Sequence, residues 1–160
     1  MEMKKMEIKL MTEAEAQEVN TWAYEKPYDL YSFSDDKEDL DELLDGSYYS
    51  CYNSNGELIG YFCYGKTAQV PGGRKAELYN DVDALDIGLG MKPSLVGQGL
   101  GKDFLKNGLN YGQKQFNPKK FRLSVATFNK RAIALYESLG FIKGQRFFNN
   151  ETEFILMEST

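Results

Sequence analysis

Leu85-Asp86-Ile87-Gly88-Leu89-Gly90-Met91-Lys92-Pro93-Ser94-Leu95-Val96-Gly97-Gln98-Gly99-Leu100-Gly101-Lys102 is the stretch that decides the fold. Leu85, Ile87, Leu89 and Met91 recur at period two, the signature of a strand. Pro93 has no N–H to give to a ladder, so the strand ends there. Gly97, Gly99 and Gly101 then admit backbone angles that a Cβ would forbid, and Lys102-Asp103-Phe104-Leu105 opens a helix. The free N–H groups of a first helical turn point outward, and the helix dipole adds about half a positive charge there. A strand, a glycine turn and a helix start together suit an anion, and a pyrophosphate fits best. The bland alternative is that glycine is there only to make the turn.

Two nucleotide motifs fail on spacing. The phosphate loop G-x-x-x-x-G-K-S/T is absent, because Lys102 is followed by Asp103. The glycines alternate at 97, 99 and 101, so G-x-G-x-x-G does not fit either. Val96-Gly97-Gln98-Gly99-Leu100-Gly101 instead resembles the pyrophosphate motif of the GNAT superfamily of N-acetyltransferases, Arg/Gln-x-x-Gly-x-Gly/Ala. Val96 departs from it, standing where the family usually has Arg or Gln. Asn129-Lys130-Arg131-Ala132-Ile133-Ala134-Leu135-Tyr136-Glu137-Ser138-Leu139-Gly140-Phe141 is similar to the family's second cofactor motif, N-x-x-A-x-x-x-Y-x-x-x-G-F. The two occur in the family's order.

The bulk properties agree with one soluble domain spanning residues 1–160. A chain of 160 residues can bury about two-thirds of its unfolded surface. Its 42% apolar and 27% charged content is ordinary for a globular protein. Met1-Glu2-Met3-Lys4-Lys5 leads into no long apolar run, so neither a signal peptide nor a membrane span is expected. Cys51 and Cys63 lack C-x-x-C spacing and read as reduced core thiols of a cytoplasmic protein, with one disulfide as the alternative. The absence of histidine removes Ser–His and Cys–His chemistry and the commonest zinc ligand. With a net charge of −5 and no basic stripe, nucleic acid is not an expected partner, whereas a cationic small molecule or basic peptide is.

Along the chain, Met6–Met11 reads as a strand, and Thr12-Glu13-Ala14-Glu15 is a capping box opening a helix from Glu13 to Trp22. An aromatic segment follows, with rings at Trp22, Tyr24, Tyr28, Tyr31 and Phe33 and a break at Pro27. Such rings either pack on the domain's flank or, as cation-binding faces, wall an acceptor pocket. A helix capped at Asp35-Asp36 carries Leu40, Leu43 and Leu44 inward. Tyr48–Tyr52 and Leu58–Tyr64 form a hairpin about Asn55-Gly56. Residues 65–84 carry no clear period. A helix from Gly99 to Gln115 buries Leu100, Phe104, Leu105 and Leu109, and its Gly108 and Gly112 suggest close approach to another element. Phe121–Val125 is a strand, Asn129 caps a helix that Gly140 ends, and Phe141–Phe148 pairs with Glu153–Glu158 about Asn149-Asn150.

The resemblance implies a single-domain α/β fold of GNAT type, with a mixed, mostly antiparallel central sheet flanked by about four helices. It implies direct acetyl transfer from acetyl-CoA to a primary amine of a small molecule or peptide, through a ternary complex. On that reading the cofactor contacts are Leu89, Gly90 and Met91 at the strand end, Val96, Gly97, Gln98, Gly99, Leu100, Gly101 and Lys102 in the turn, and Asn129, Ala132 and Tyr136 on the later helix. Tyr136 is the implied general acid to the CoA sulfur. Free-group pKa values of ~10 and ~8.5 make that proton transfer uphill by only about 2 kcal/mol. The oxyanion falls to amides around Leu89, Gly90 and Met91. Asp86 is the candidate base, backed by Glu77, Asp81 and Asp83. Trp22, Tyr24, Tyr28 and Tyr31 are the candidate acceptor-pocket residues, because in the family the segment after the first strand lies over the acceptor side. The family also allows a homodimer through the closing strands, and no metal is implied. The rival reading is a non-catalytic acyl-CoA-binding or sensor module of the same fold.

Overall fold

The computed structural model describes residues 5–159. Their elements run β1 (Glu7–Leu10), α1 (Glu13–Asn20), α2 (Lys37–Leu43), β2 (Tyr48–Tyr52), β3 (Leu58–Tyr64), α3 (Pro71–Lys75), β4 (Ala84–Met91), α4 (Gly101–Phe116), β5 (Lys120–Ala126), α5 (Lys130–Ser138), β6 (Ile142–Asn149) and β7 (Thr152–Glu158). The seven strands bond in the order β1-β2-β3-β4-β5-β7-β6. Within it β1–β2, β2–β3, β5–β7 and β6–β7 are antiparallel and β4–β5 is parallel. The α/β class and the mostly antiparallel sheet follow the sequence reading. No described helix is long and apolar enough to cross a membrane.

The residues group into two compact units made of interleaved segments: the chain up to Cys63 with Leu89–Tyr111, and Tyr64–Gly88 with the chain from Gly112 onward. The divisions fall inside β3, β4 and α4, so no linear boundary cuts the chain into successive domains.

In the first unit the expected capping box forms. Thr12 Oγ1 accepts from the Glu15 N–H at 3.3 Å and Glu15 Oε1 accepts from the Thr12 N–H at 2.9 Å. The Glu15 carboxylate also accepts from the hydroxyls of Ser50 and Tyr52 on β2. Burial opposes its charge, but these bonds outweigh that and hold its pKa below the usual carboxylate range. Ala16 and Val19 are fully buried. The Asp36 side chain caps α2 by accepting from the Asp39 N–H at 2.8 Å. Leu43 is buried as expected, whereas Leu44 is exposed, because it is the residue after the last turn and no longer follows the helical stripe.

β3 is the centre of this unit, and its alternation sorts two environments. Phe62 stacks on Phe104 of α4 with centroids 4.4 Å apart. The expected close approach at Gly108 is made to this ring: a Cβ there would lie 2.2 Å from Phe62. Phe104 and Leu105 are buried, while Leu100 and Leu109 are only half-buried. α4 starts at Gly101 rather than Gly99, since Gly99 sits at φ +77°, outside helical space.

The second unit is built on β5, whose Phe121, Leu123 and Val125 are buried. Ala84, Leu85 and Asp86 of β4 pair with Lys120, Phe121 and Arg122. Gly112 makes the second expected close approach, against Tyr64 and Phe121. The stretch 65–84, unreadable in sequence, holds the short α3, one of five α-helices among the described residues. The Tyr79 hydroxyl accepts from the Val70 N–H at 3.0 Å and lies 2.6 Å from the Ser124 hydroxyl. One tyrosine thereby ties the start of that segment to β5.

Candidate functional site

The first unit presents the end of β4 and the turn after it. Lys92 at the strand's end donates its N–H to Ile59 C=O at 2.8 Å, keeping β4 against β3. Pro93–Leu95 then makes one 3-10 turn. Gly97 and Gly99 both occupy the left-handed region, at φ +84° and +77°. A Cβ on Gly99 would meet nothing within 4 Å, so its backbone faces open space. The Gln98 side chain folds back to Ser94 C=O at 3.0 Å, and Val96 is exposed. Phe104 is the residue whose N–H closes the first helical bond, to Leu100 C=O at 3.0 Å. Gly101, Lys102 and Asp103 therefore supply the first-turn amides that a helix cannot bond internally. Over the 16 residues of α4 these amides stand at the positive end of the helix dipole. The arrangement fits a diphosphate: amides and dipole supply the attraction, and no side chain covers the Gly99 backbone.

On the other face of β3 stands a group of aromatic rings. Tyr61 is flanked by Trp22 at 6.3 Å, Phe33 at 5.9 Å and Tyr48 at 5.8 Å between centroids. A Cβ on Gly90 of β4 would lie 2.3–2.5 Å from the Tyr61 ring and hydroxyl. Glycine is thus required at 90 by the Tyr61 ring. Tyr24 donates its hydroxyl to Met91 C=O at 2.7 Å, and the Tyr48 hydroxyl donates to Glu42 at 2.8 Å. Burial raises the pKa of Tyr24, Tyr48 and Tyr61 above the ordinary phenol value. All three remain neutral phenols at neutral pH.

Of the acceptor-pocket candidates, Tyr24 reaches the end of β4, and Trp22 is buried on Tyr61 as part of this packed group. Tyr28 and Tyr31 lie half-buried on a 3-10 turn, Tyr28–Tyr31. Sequence reasoning missed Tyr48 and Tyr61. The available signal was the alternation of β3, which puts Tyr61 on the face opposite Gly60 and Phe62.

The second unit carries Asn129, Ala132, Tyr136 and Asp86. Asn129 caps α5, its Oδ1 accepting from the Ala132 N–H at 3.2 Å. The Asn129 side chain and the Ala132 amide are therefore bonded to one another. Tyr136 is buried on α5 with its ring 6.2 Å from Phe141. Asp86 does not stand as a base would. It is 3% exposed, Arg122 Nε and Nη2 donate to its two oxygens at 2.8 and 2.7 Å, and Gln69 Nε2 donates to one of them at 2.9 Å. Both Asp86 oxygens are thus committed to donors inside the protein, chiefly to a buried guanidinium. Asp81 and Asp83 are engaged with Lys120 and Lys119.

The sequence matches the model of the Acetyltransferase (GNAT) family over residues 12–141. A search of curated proteins finds no match. Among solved structures, AAC(6')-Ib in complex with ribostamycin and coenzyme A superposes with a TM-score of 0.76 at 20% identity, over 98% of this chain and 93% of that one. A GNAT-family acetyltransferase from Bacillus anthracis gives 0.73 at 12% identity, over 98% and 95%. A chimera of the spermidine N-acetyltransferase SpeG from Vibrio cholerae with hSSAT gives 0.65 at 17% identity, over 96% and 94%. At these identities the likeness is one of fold.

Proposed function

The chain belongs to the GNAT family of acetyltransferases, and from that premise we propose that it moves the acetyl group of acetyl-CoA directly to the nitrogen of a primary amine. The observation that carries the proposal is the turn at the end of β4: two left-handed glycines, then the outward amides of a long helix, with the Gly99 backbone uncovered. These amides take the diphosphate of the carrier. The amides about Leu89, Gly90 and Met91 hold the oxyanion that forms when the amine attacks the acetyl carbonyl. As the carbon–sulfur bond breaks, Tyr136 gives its phenolic proton to the departing thiolate. The acceptor ammonium gives one proton to water before it attacks as the neutral amine, and the new amide's extra proton also leaves to water, from which Tyr136 is recharged. Asp86 has no part in this scheme, because its carboxylate is held by Arg122.

Ribostamycin and spermidine are named with the structural neighbours, and both point to amine acceptors. The cheapest test pairs a coenzyme A-induced thermal shift with thiol release from acetyl-CoA over a panel of amines. The expected result is a shift together with turnover on at least one amine. Tyr136→Phe is expected to lower turnover at least tenfold with the shift unchanged, and unaltered turnover would remove the acid role. Val96, where the family has Arg or Gln, favours the second reading, a sensor that binds the acyl carrier without turnover; a shift with no turnover on any amine would support it.

A further inference from the structure

The Tyr61 side chain is more than nine-tenths buried, yet among the described residues its hydroxyl has no hydrogen-bond partner. Tyr24 and Tyr48, in the same group, both spend theirs, on Met91 C=O and Glu42. Packing alone would be served as well by a phenylalanine at 61, which has the same ring and no hydroxyl to satisfy. The only completely sealed side-chain polar atom without a partner among the described residues is Asn20 Oδ1. The Tyr61 hydroxyl is thus not completely sealed, and it lies directly against Gly90, whose Cβ position is 2.5 Å from it.

What surrounds this hydroxyl favours a cation. Trp22, Phe33 and Tyr48 supply ring faces about Tyr61, and Tyr48 holds the Glu42 carboxylate at 2.8 Å. Among the described residues no lysine or arginine stacks on these rings, and the Lys92 ammonium is 3.9 Å from Glu18. A neutral phenol in such a setting accepts a hydrogen bond from an ammonium or amine N–H.

We propose that Tyr61 binds the acceptor, its hydroxyl accepting a hydrogen bond from the nitrogen of a primary amine whose ammonium rests against the rings beside Gly90. The assignment rests on the transferase reading for its purpose and deepens it, naming the residue that recognises the amine. The residue acts on acceptor binding, with no step of proton transfer assigned to it.

The test titrates n-butylamine and spermidine calorimetrically into the full chain at saturating coenzyme A, for the wild type, Tyr61→Phe and Tyr24→Phe. Phenylalanine keeps the ring at 61, so the fold is retained. The wild type is expected to bind at least one of the two amines, and Tyr61→Phe to bind it at least tenfold more weakly. The Tm of Tyr61→Phe should stay within about 2 °C of wild type, while Tyr24→Phe, which loses a hydroxyl bond in use, should melt lower. A smaller loss of affinity, no binding of either amine by the wild type, or a larger fall in Tm for Tyr61→Phe overturns the assignment. The wild-type thermal shift with coenzyme A alone judges the transferase reading separately, so the two failures are told apart.

Discussion

The two ends of β4 solve opposite problems. At its start Asp86 is buried, and both its oxygens accept hydrogen bonds, from Arg122 Nε, Arg122 Nη2 and Gln69 Nε2. At its end Gly90 presents no side chain, and the neighbouring Tyr61 hydroxyl has no hydrogen-bond partner among the described residues. Completed polar contacts hold a strand in place and leave it nothing to offer a ligand. Incomplete ones cost stability, and they persist where something else completes them. The comparison separates Asp86, which the sequence offers as a candidate, from Tyr61, which it does not.

The largest effect is expected at the completed end. Asp86→Asn leaves the Arg122 guanidinium buried with its charge uncompensated, and breaking such a pair from one side costs about 3–5 kcal/mol. Denaturant unfolding would measure it, and a loss under about 1 kcal/mol would show that the pair is not a structural one. The double variant Asp86→Asn/Arg122→Met should recover much of the loss, since the orphaned charge is then gone.

A smaller loss is expected from Gly90→Ala. The new Cβ would overlap the Tyr61 ring, which cannot swing aside while Trp22, Phe33 and Tyr48 pack around it. Overpacking of this kind costs about 1–3 kcal/mol. In a Tyr61→Leu background the same substitution should cost measurably less, which a double-mutant cycle would detect. Additive losses would mean that Gly90 is needed for something other than that ring.

How much of this was visible in the residues themselves follows the range of the forces involved. The capping box at Thr12 and Glu15, the Asn129 cap and the turn from Val96 to Gly101 are local devices, written within a few residues, and each formed where the sequence put it. Gly108 and Gly112 announced close approaches without naming partners; Phe62, Tyr64 and Phe121 come from strands far along the chain. The role of Asp86 was hidden for the same reason. Strand alternation gives its face, but not that Arg122 lies opposite it across the parallel β4–β5 pair. Residues 65–83 had no period because contacts distant in sequence place them: Tyr79 meets Val70 and Ser124, Gln69 meets Asp86, and Gly72 meets Asn149. Tyr61 escaped notice because a tyrosine in an apolar strand reads as core, and only its unfinished hydroxyl sets it apart.

The smallest stability effect and the most selective functional one are expected together at Gly99. Alanine there is strained by the left-handed φ of +77°, at about 1 kcal/mol, yet its methyl group would meet no neighbour within 4 Å. The turn either keeps its shape with that strain or relaxes toward negative φ, which redirects the amides that follow. In either case the core around Phe62 and Phe104 is undisturbed, so the Tm of Gly99→Ala should fall by only a few degrees, on the order of 3 °C. The coenzyme A-induced shift should nevertheless shrink, because the methyl group points into the open space assigned to the diphosphate. A thermal scan of this one variant, with and without coenzyme A, separates the two quantities. A full shift in Gly99→Ala would mean that the space is not where the diphosphate rests, and the incomplete end of β4 would then owe its openness to the acceptor alone.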